Sequence, residues 1–226
     1  MEEQEIQEKM DKVKKDTKDI VDLNLAEELL NSNTLEFDFG DIDYRVTKPN
    51  FKQKQETNIK RIEKYHELLK DDKNLLEENL IKLYKIRDID IEEMNNSIDV
   101  FNSKRQDLLL NLGKRIKEKK PKEELDKFRD EIKTINEKIQ EVSMKKAILL
   151  DSSIESQLNV YVYTYLAYLI TEKSIEGKDL DKGEKESKKW EKAWKSYDDF
   201  VNQDETLVNR TVWYTTIIAK NTLLSF

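Results

Sequence analysis

The sequence predicts a mainly α-helical protein with one long antiparallel coiled-coil hairpin and one small β-hairpin. Charged residues make up 39% of the 226 residues. The chain has only 4 glycines and 2 prolines, which are too few for the many turns of a β-sandwich or barrel. Apolar residues recur at helical spacing along most of the chain. One stretch, residues 35–46, alternates apolar and polar residues instead, as a β-strand does.

Residues 1–31 form the first predicted segment. The segment is acidic, and its apolar residues recur at loosely helical spacing. This pattern predicts a marginal amphipathic helix of the kind that a partner can order.

A β-hairpin follows, with Gly40-Asp41 as its two-residue loop. Pairing residue 39 with 42, 37 with 44 and 35 with 46 puts six apolar side chains on one face, which we expect to dock on helices. These residues are Leu35, Phe37, Phe39, Ile42, Tyr44 and Val46.

The core domain is predicted to combine residues 32–89 with residues 151–226. Asn50 with Gln53 reads as a capping box that starts a helix, and residues 152 and 155 form a similar pair. The apolar stretch 157–170 favours a buried helix, although its Val-Tyr alternation leaves a strand open. Trp190, Trp194, Tyr197 and Val201 are predicted to line one face of a further helix, before a last helix from about 205 to 224.

Residues 90–150 are predicted to form a projecting antiparallel helical hairpin. Apolar residues recur every three or four positions on both sides of the break at Lys119-Lys120-Pro121, which is typical of a coiled-coil seam. Such a seam pairs equally well within one chain or between chains, so the oligomeric state stays open. The seam residues are Phe101, Leu108, Leu112, Leu125, Phe128, Ile132, Ile135, Ile139 and Val142.

The turn of this hairpin carries the clearest basic cluster of the sequence, which we call the basic tip: Lys114, Arg115, Lys117, Lys119, Lys120 and Lys122. A cluster of this kind could bind an acidic protein or phosphates, or simply face solvent. Nucleic acid is not an expected partner, because the net charge is -7 and no aromatic residue lies between these cations to stack on bases.

The composition argues against an enzyme. The sequence has no cysteine, which excludes disulfides, thiolate metal sites and cysteine nucleophiles. The one histidine, His66, ends a Glu-x-x-His motif in a charged helical stretch, but a di-metal site takes two such motifs and the second is absent from the sequence. The acids of residues 88–93 lack the glycine turn of a calcium loop. We therefore expect no catalytic residue, cofactor or metal. We also expect no secretory signal and no membrane span, and hence a cytoplasmic protein.

The hairpin and its continuation, residues 35–49, end in a Lys48-Pro49 step before polar helices. Over residues 35–70 the chain resembles bacteriophage tail and baseplate assembly proteins, several of which open with such a hairpin. The resemblance implies a non-enzymatic assembly chaperone or structural adaptor that binds other tail components, in the host cytoplasm or on the virion. The alternative is a small phage or mobile-element effector that inhibits a host protein or nucleoprotein through the basic tip.

Overall fold

The computed structural model describes residues 34–175 and 189–220. The predicted acidic segment, residues 1–31, lies outside the described residues, as does the predicted end of the last helix beyond residue 220. Within the described part the chain is mainly helical, as predicted. None of the helices described is both long and apolar enough to cross a membrane.

Seven helices and four strands make up the described ranges. The helices are α1 (Phe51–Leu68), α2 (Glu77–Ile86), α3 (Ile91–Lys117), α4 (Lys122–Leu150), α5 (Ile154–Ile170), α6 (Tyr197–Val201) and α7 (Glu205–Lys220). The strands are β1 (Thr34–Phe39), β2 (Ile42–Thr47), β3 (Thr171–Ile175) and β4 (Lys189–Lys192).

The described residues fall into two compact units. Residues 73–156 form one, which we call the helical unit. Residues 34–72 with 157–175 and 189–220 form the other, the mixed unit, which contains all four strands. The predicted division into an N-terminal segment, a core domain and a projecting hairpin stays a prediction.

In the helical unit, α3 and α4 run antiparallel, and we call them the helical pair. Residues in the middle of the two helices contact each other: Lys138 Nζ lies 6.0 Å from the centre of the Phe101 ring, and Arg105 Nη1 donates to Asn136 Oδ1 at 3.3 Å. Near the turn that joins the helices, Arg115 forms an ion pair with Glu124. An apolar cluster packs α2 against the start of α3 and the end of α4. Its buried residues are Leu80, Ile91, Leu149 and Leu150.

Side chains cap the start of three helices in this part of the chain. Asp90 accepts a bond from the Glu93 N–H at 3.0 Å and starts α3. For α5, Ser153 accepts from the Ser156 N–H at 3.1 Å, one position after the predicted capping pair. The Glu155 carboxylate instead accepts from the Glu77 N–H at 2.8 Å and so caps α2.

The mixed unit is built on a four-stranded antiparallel sheet in the order β1-β2-β3-β4. The register of β1 and β2 is the one that the sequence predicts, with Phe39 opposite Ile42 and Leu35 opposite Val46. Gly40 turns the chain with φ +60, a conformation that glycine adopts without strain. The prediction of a single β-hairpin was wrong in extent, because β3 pairs with β2 and β4 pairs with β3.

One sequence-based assignment is confirmed and one changes. Residues 157–170 are helical, as the sequence favours, and at Thr171 the chain passes directly from α5 into β3. Trp190 lies in β4 and not on a helix, and its ring packs under the Arg45 guanidinium at 4.5 Å. The pairing partners that β2 offers to β3, and β3 to β4, outweigh the weak helical pattern of these short segments. Only Tyr197–Val201 of the predicted helix is helical.

The core of the mixed unit lies between the sheet and the helices α5 and α7. Phe37 stacks on Tyr214 of α7 with ring centres 5.0 Å apart, and Tyr44 stacks on Trp194 at 5.9 Å. Phe200 of α6 is fully buried against Trp194 at 4.4 Å. The aromatic residues of this region therefore form the core, where large rings contribute most to burial.

Candidate functional site

The basic tip is formed by a tight helix-ending turn. The Lys119 N–H donates to the Ile116 carbonyl at 3.0 Å, and the Lys120 N–H donates to the Arg115 carbonyl at 3.1 Å. This pair of bonds is a Schellman motif, which requires a left-handed residue at its centre, usually glycine. Here that residue is Lys119, with φ 54. A lysine at this position is strained by about 1 kcal/mol relative to glycine.

Six cations were predicted at the tip, and the structure gives them two different environments. Arg115 is half-buried, pairs with Glu124 and lies with its Cζ atom 4.8 Å from the centre of the Phe128 ring. It therefore ties α3 to α4. Five lysines of the tip are exposed and supply its positive surface: Lys114, Lys117, Lys119, Lys120 and Lys122. Lys114 and Lys117 lie in the last turn of α3, where their charges also complement the helix dipole.

The seam residues lie on the inner side of the helical pair. Leu108 and Ile135 are buried, and the remaining seven are half-buried. Beyond the seam, α3 leaves other large apolar side chains in solvent. Their exposed fractions are 65% for Val100, 49% for Leu109, 65% for Leu110 and 51% for Ile116. The last three lie in the final turns of α3, next to the basic tip.

The apolar face of the hairpin formed by β1 and β2 lies mostly inside the mixed unit. Leu35, Phe37, Tyr44 and Val46 are buried, whereas Phe39 is half-buried. Ile42, at the turn, is 40% exposed. Most of this face is therefore part of the core and is not available to another protein.

The acidic residues between positions 88 and 93 stabilise the turn between α2 and α3 and the start of α3. Asp88 is the left-handed residue that ends α2, with φ 60, and Asp90 is the N-cap of α3. Glu92 accepts a bond from Lys85 Nζ at 3.1 Å. Within the described ranges, no group of three or more His, Cys, Asp or Glu side chains is arranged to hold a metal ion. His66 is exposed on α1, with its ring 6.1 Å from that of Tyr65.

A cavity that the sequence did not indicate lies in the mixed unit, between α1 and α5. Its volume is about 210 Å³. Lys54, Asn58 and Arg61 line it from α1, and Asn159 and Tyr163 line it from α5. The two groups are about a hundred residues apart in the chain, so only folding brings them together. The one sequence signal was a polar i, i+4, i+7 repeat on α1, which also fits a solvated helix face.

A tyrosine cluster lies on the other flank of the contact between α1 and α5. The rings of Tyr161, Tyr165, Tyr168 and Tyr197 contact one another, and the Tyr165 hydroxyl donates to the Glu56 carboxylate at 2.9 Å. Burial raises the pKa of Tyr165, and the neighbouring Glu56 carboxylate raises it further. Burial also raises the pKa of Tyr197, to about 12. Both phenols stay protonated at neutral pH, which suits a packing role.

Comparison of the chain with protein-family models, with curated proteins and with solved structures found no match.

Proposed function

We propose that this chain is a non-enzymatic protein-protein interaction protein that acts as an assembly chaperone or structural adaptor in bacteriophage tail or baseplate morphogenesis. Its place of action would be the host cytoplasm, with the virion as a second location. The observation that carries the interaction role is the helical pair, because α3 presents large exposed apolar side chains beside a basic end. The phage assignment rests on the resemblance of residues 35–70.

The proposed mechanism divides the surface of the helical pair into two parts. The seam works as an intramolecular coiled coil and keeps the two helices straight and rigid. Leu109, Leu110 and Ile116 cover or bridge apolar surfaces of a tail component. Fully burying an exposed leucine or isoleucine side chain contributes about 1.5–3 kcal/mol, and these three are about half exposed, so each adds part of that amount to the binding free energy before the cost of association is subtracted.

The test is affinity capture of the tagged protein from its native cell, or from infected cells, with mass spectrometry of the proteins that co-purify and a nuclease-treated control. Recovery of tail or baseplate proteins that survives nuclease supports the assembly role. Recovery of a single host protein, or loss of the co-purifying proteins after nuclease treatment, contradicts it.

A second candidate function is inhibition of a host protein or nucleoprotein through the basic tip. It is favoured by Lys119, which occupies a left-handed position that glycine would fill at lower energy. Residues held in strained left-handed conformations cluster at functional sites. The triple change Lys117→Glu, Lys119→Glu and Lys120→Glu separates the two functions. Binding through the apolar side chains should survive this change, whereas inhibition through the tip should be lost.

A further inference from the structure

Helix α1 carries a row of large apolar side chains that face solvent. The exposed fractions are 74% for Phe51, 57% for Ile59, 46% for Ile62 and 44% for Leu69, the C-cap residue of the helix. At 3.6 residues per turn, these four positions fall within an arc of about 80° around the helix. We call them the α1 stripe. Single exposed apolar residues are common on protein surfaces, but four on one side of one helix indicate a binding surface.

The α1 stripe points away from the core of the mixed unit. Thr57 and Leu68, the buried residues of α1, lie nearly half a turn away around the helix. A contact to α5 also leaves from that opposite side, where Gln53 Nε2 donates to the Leu169 carbonyl at 2.9 Å. The fold therefore holds α1 by its other side and leaves the stripe open for another amphipathic element.

The charges around the α1 stripe favour an acidic occupant. Helix α1 contains five lysine and arginine residues but only three acids. Two of these acids already bond to lysines one turn away, at 2.7 Å in each case. Lys52, Arg61 and Lys70 are exposed around the stripe. A second copy of this chain is disfavoured as the occupant, because docking α1 on α1 would bring these like charges together.

The acidic segment, residues 1–31, has the matching chemistry. It contains ten acids and five lysines, and its apolar residues recur at loosely helical spacing. On a helix, Ile20, Leu23 and Leu30 would share one side, with Asp19 and Glu28 on the two flanks of that side. An apolar side with acidic flanks complements an apolar stripe that is surrounded by cations.

The register of the sheet brings this segment close to α1. Thr34, where β1 begins, pairs with Thr47, and α1 begins four residues later at Phe51. The segment therefore ends three residues before a point that lies beside the start of α1. Helix α1 has 18 residues and is about 27 Å long, so a helix formed by the second half of the segment can run back along it. Because both belong to one chain, docking requires little intrinsic affinity.

We propose that the acidic segment docks as an amphipathic helix on the α1 stripe of its own chain. Its apolar residues cover Phe51, Ile59 and Ile62, and its acids face the cations around the stripe. The sequence pattern of the segment is that of a helix that a partner can order, and α1 is that partner. This contact involves the mixed unit and does not depend on the interaction role of the helical pair.

The test uses single-cysteine reporters in the full chain, which has no cysteine of its own. Ile62→Cys places a thiol on the α1 stripe. Val160→Cys is the matched control, because Val160 is 64% exposed on α5 of the same unit and lies outside the stripe. The rate of reaction with iodoacetamide is measured for each reporter, with and without the triple change Ile20→Asp, Leu23→Asp and Leu30→Asp in the acidic segment.

We expect the Ile62→Cys thiol to react at least about fivefold faster when the triple change is present, because the undocked stripe is open to the reagent. The Val160→Cys rate should change by less than about twofold. With the wild-type segment, about 0.5 M NaCl should also accelerate the Ile62→Cys reaction, since salt screens the attraction between the acids and the cations. Circular dichroism confirms that each variant is folded.

Three outcomes overturn the proposal. The first is an Ile62→Cys rate that neither the triple change nor salt alters. The second is an equal acceleration of both reporters, which would indicate a general loosening of the mixed unit. The third is loss of the Ile62→Cys protection on about hundredfold dilution of the protein, because a second copy of the chain would then be the occupant.

Discussion

Replacing Ile135 by alanine tests how the helical pair is held together. Ile135 is 5% exposed in the middle of α4, on the side that faces α3. Truncating a buried isoleucine to alanine lowers the free energy of unfolding by about 2–5 kcal/mol, and the better helix propensity of alanine offsets about 0.5 kcal/mol of this loss. Because most other seam residues are only half-buried, the expected loss is at the lower end, about 2–3 kcal/mol. Ile116→Ala is the matched control: Ile116 is 51% exposed on α3, so its change should stay within about 0.5 kcal/mol.

The assay is urea unfolding followed by two signals. Far-UV circular dichroism reports on helices throughout the chain. Tryptophan fluorescence reports on the mixed unit, because all three tryptophans lie within residues 190–213. With Ile135→Ala, the dichroism transition should move to lower urea while the fluorescence midpoint stays in place. A loss below about 1 kcal/mol, or an equal shift of both signals, would refute the reasoning.

Three further predictions concern backbone strain and buried phenols. Lys119→Gly should raise the free energy of unfolding by about 1 kcal/mol, since glycine adopts φ 54 without strain; an unchanged thermal midpoint would contradict this. Gly40→Ala, at φ +60, should lower stability by about 1 kcal/mol in the fluorescence-detected transition, and a neutral result would argue against the turn geometry. The pKa of Tyr197 is raised to about 12 and that of Tyr165 is raised further, so the folded state keeps protons that the unfolded chain loses near pH 10. The stability from these phenols is complete below about pH 10 and is lost as pH rises through about 12. Absorbance titration of tyrosinate should show this late phase, and all tyrosines titrating together near pH 10 would rule it out.

Local patterns in the sequence predicted those parts of the fold that depend on near neighbours. The alternation on both sides of Gly40-Asp41 gave the register of β1 and β2, because a one-residue slip would turn the apolar side chains of a strand to the other face. Asn50 and Gln53 gave the start of α1, where both bonds of the capping box form at 2.9 Å. The break at Pro121 separated α3 from α4.

Non-local pairing explains what the sequence did not reveal. The strands β3 and β4 are short and charged, and 13 residues separate them, so no tight-turn signal marks them as a hairpin. β3 becomes a strand because β2 offers Tyr44, Arg45 and Val46 as pairing partners, and β4 then pairs with the free edge of β3. The cavity between α1 and α5 was hidden for the same reason, since its two walls are distant in sequence. The basic tip was visible as a charge run, but the pairing of Arg115 with Glu124 was not.

The most direct test of the interaction role uses a tail or baseplate component recovered by affinity capture and then purified. Its affinity is measured for the wild-type chain, for Leu109→Asp with Leu110→Asp, and for Gln106→Asp with Asn111→Asp, two exposed changes on the same helix that add the same negative charge. We predict that the leucine changes weaken binding at least about tenfold, because two leucine side chains no longer bury apolar surface, while the Gln106 and Asn111 changes have little effect. Equal affinity for all three chains would contradict the proposal that α3 presents the binding surface.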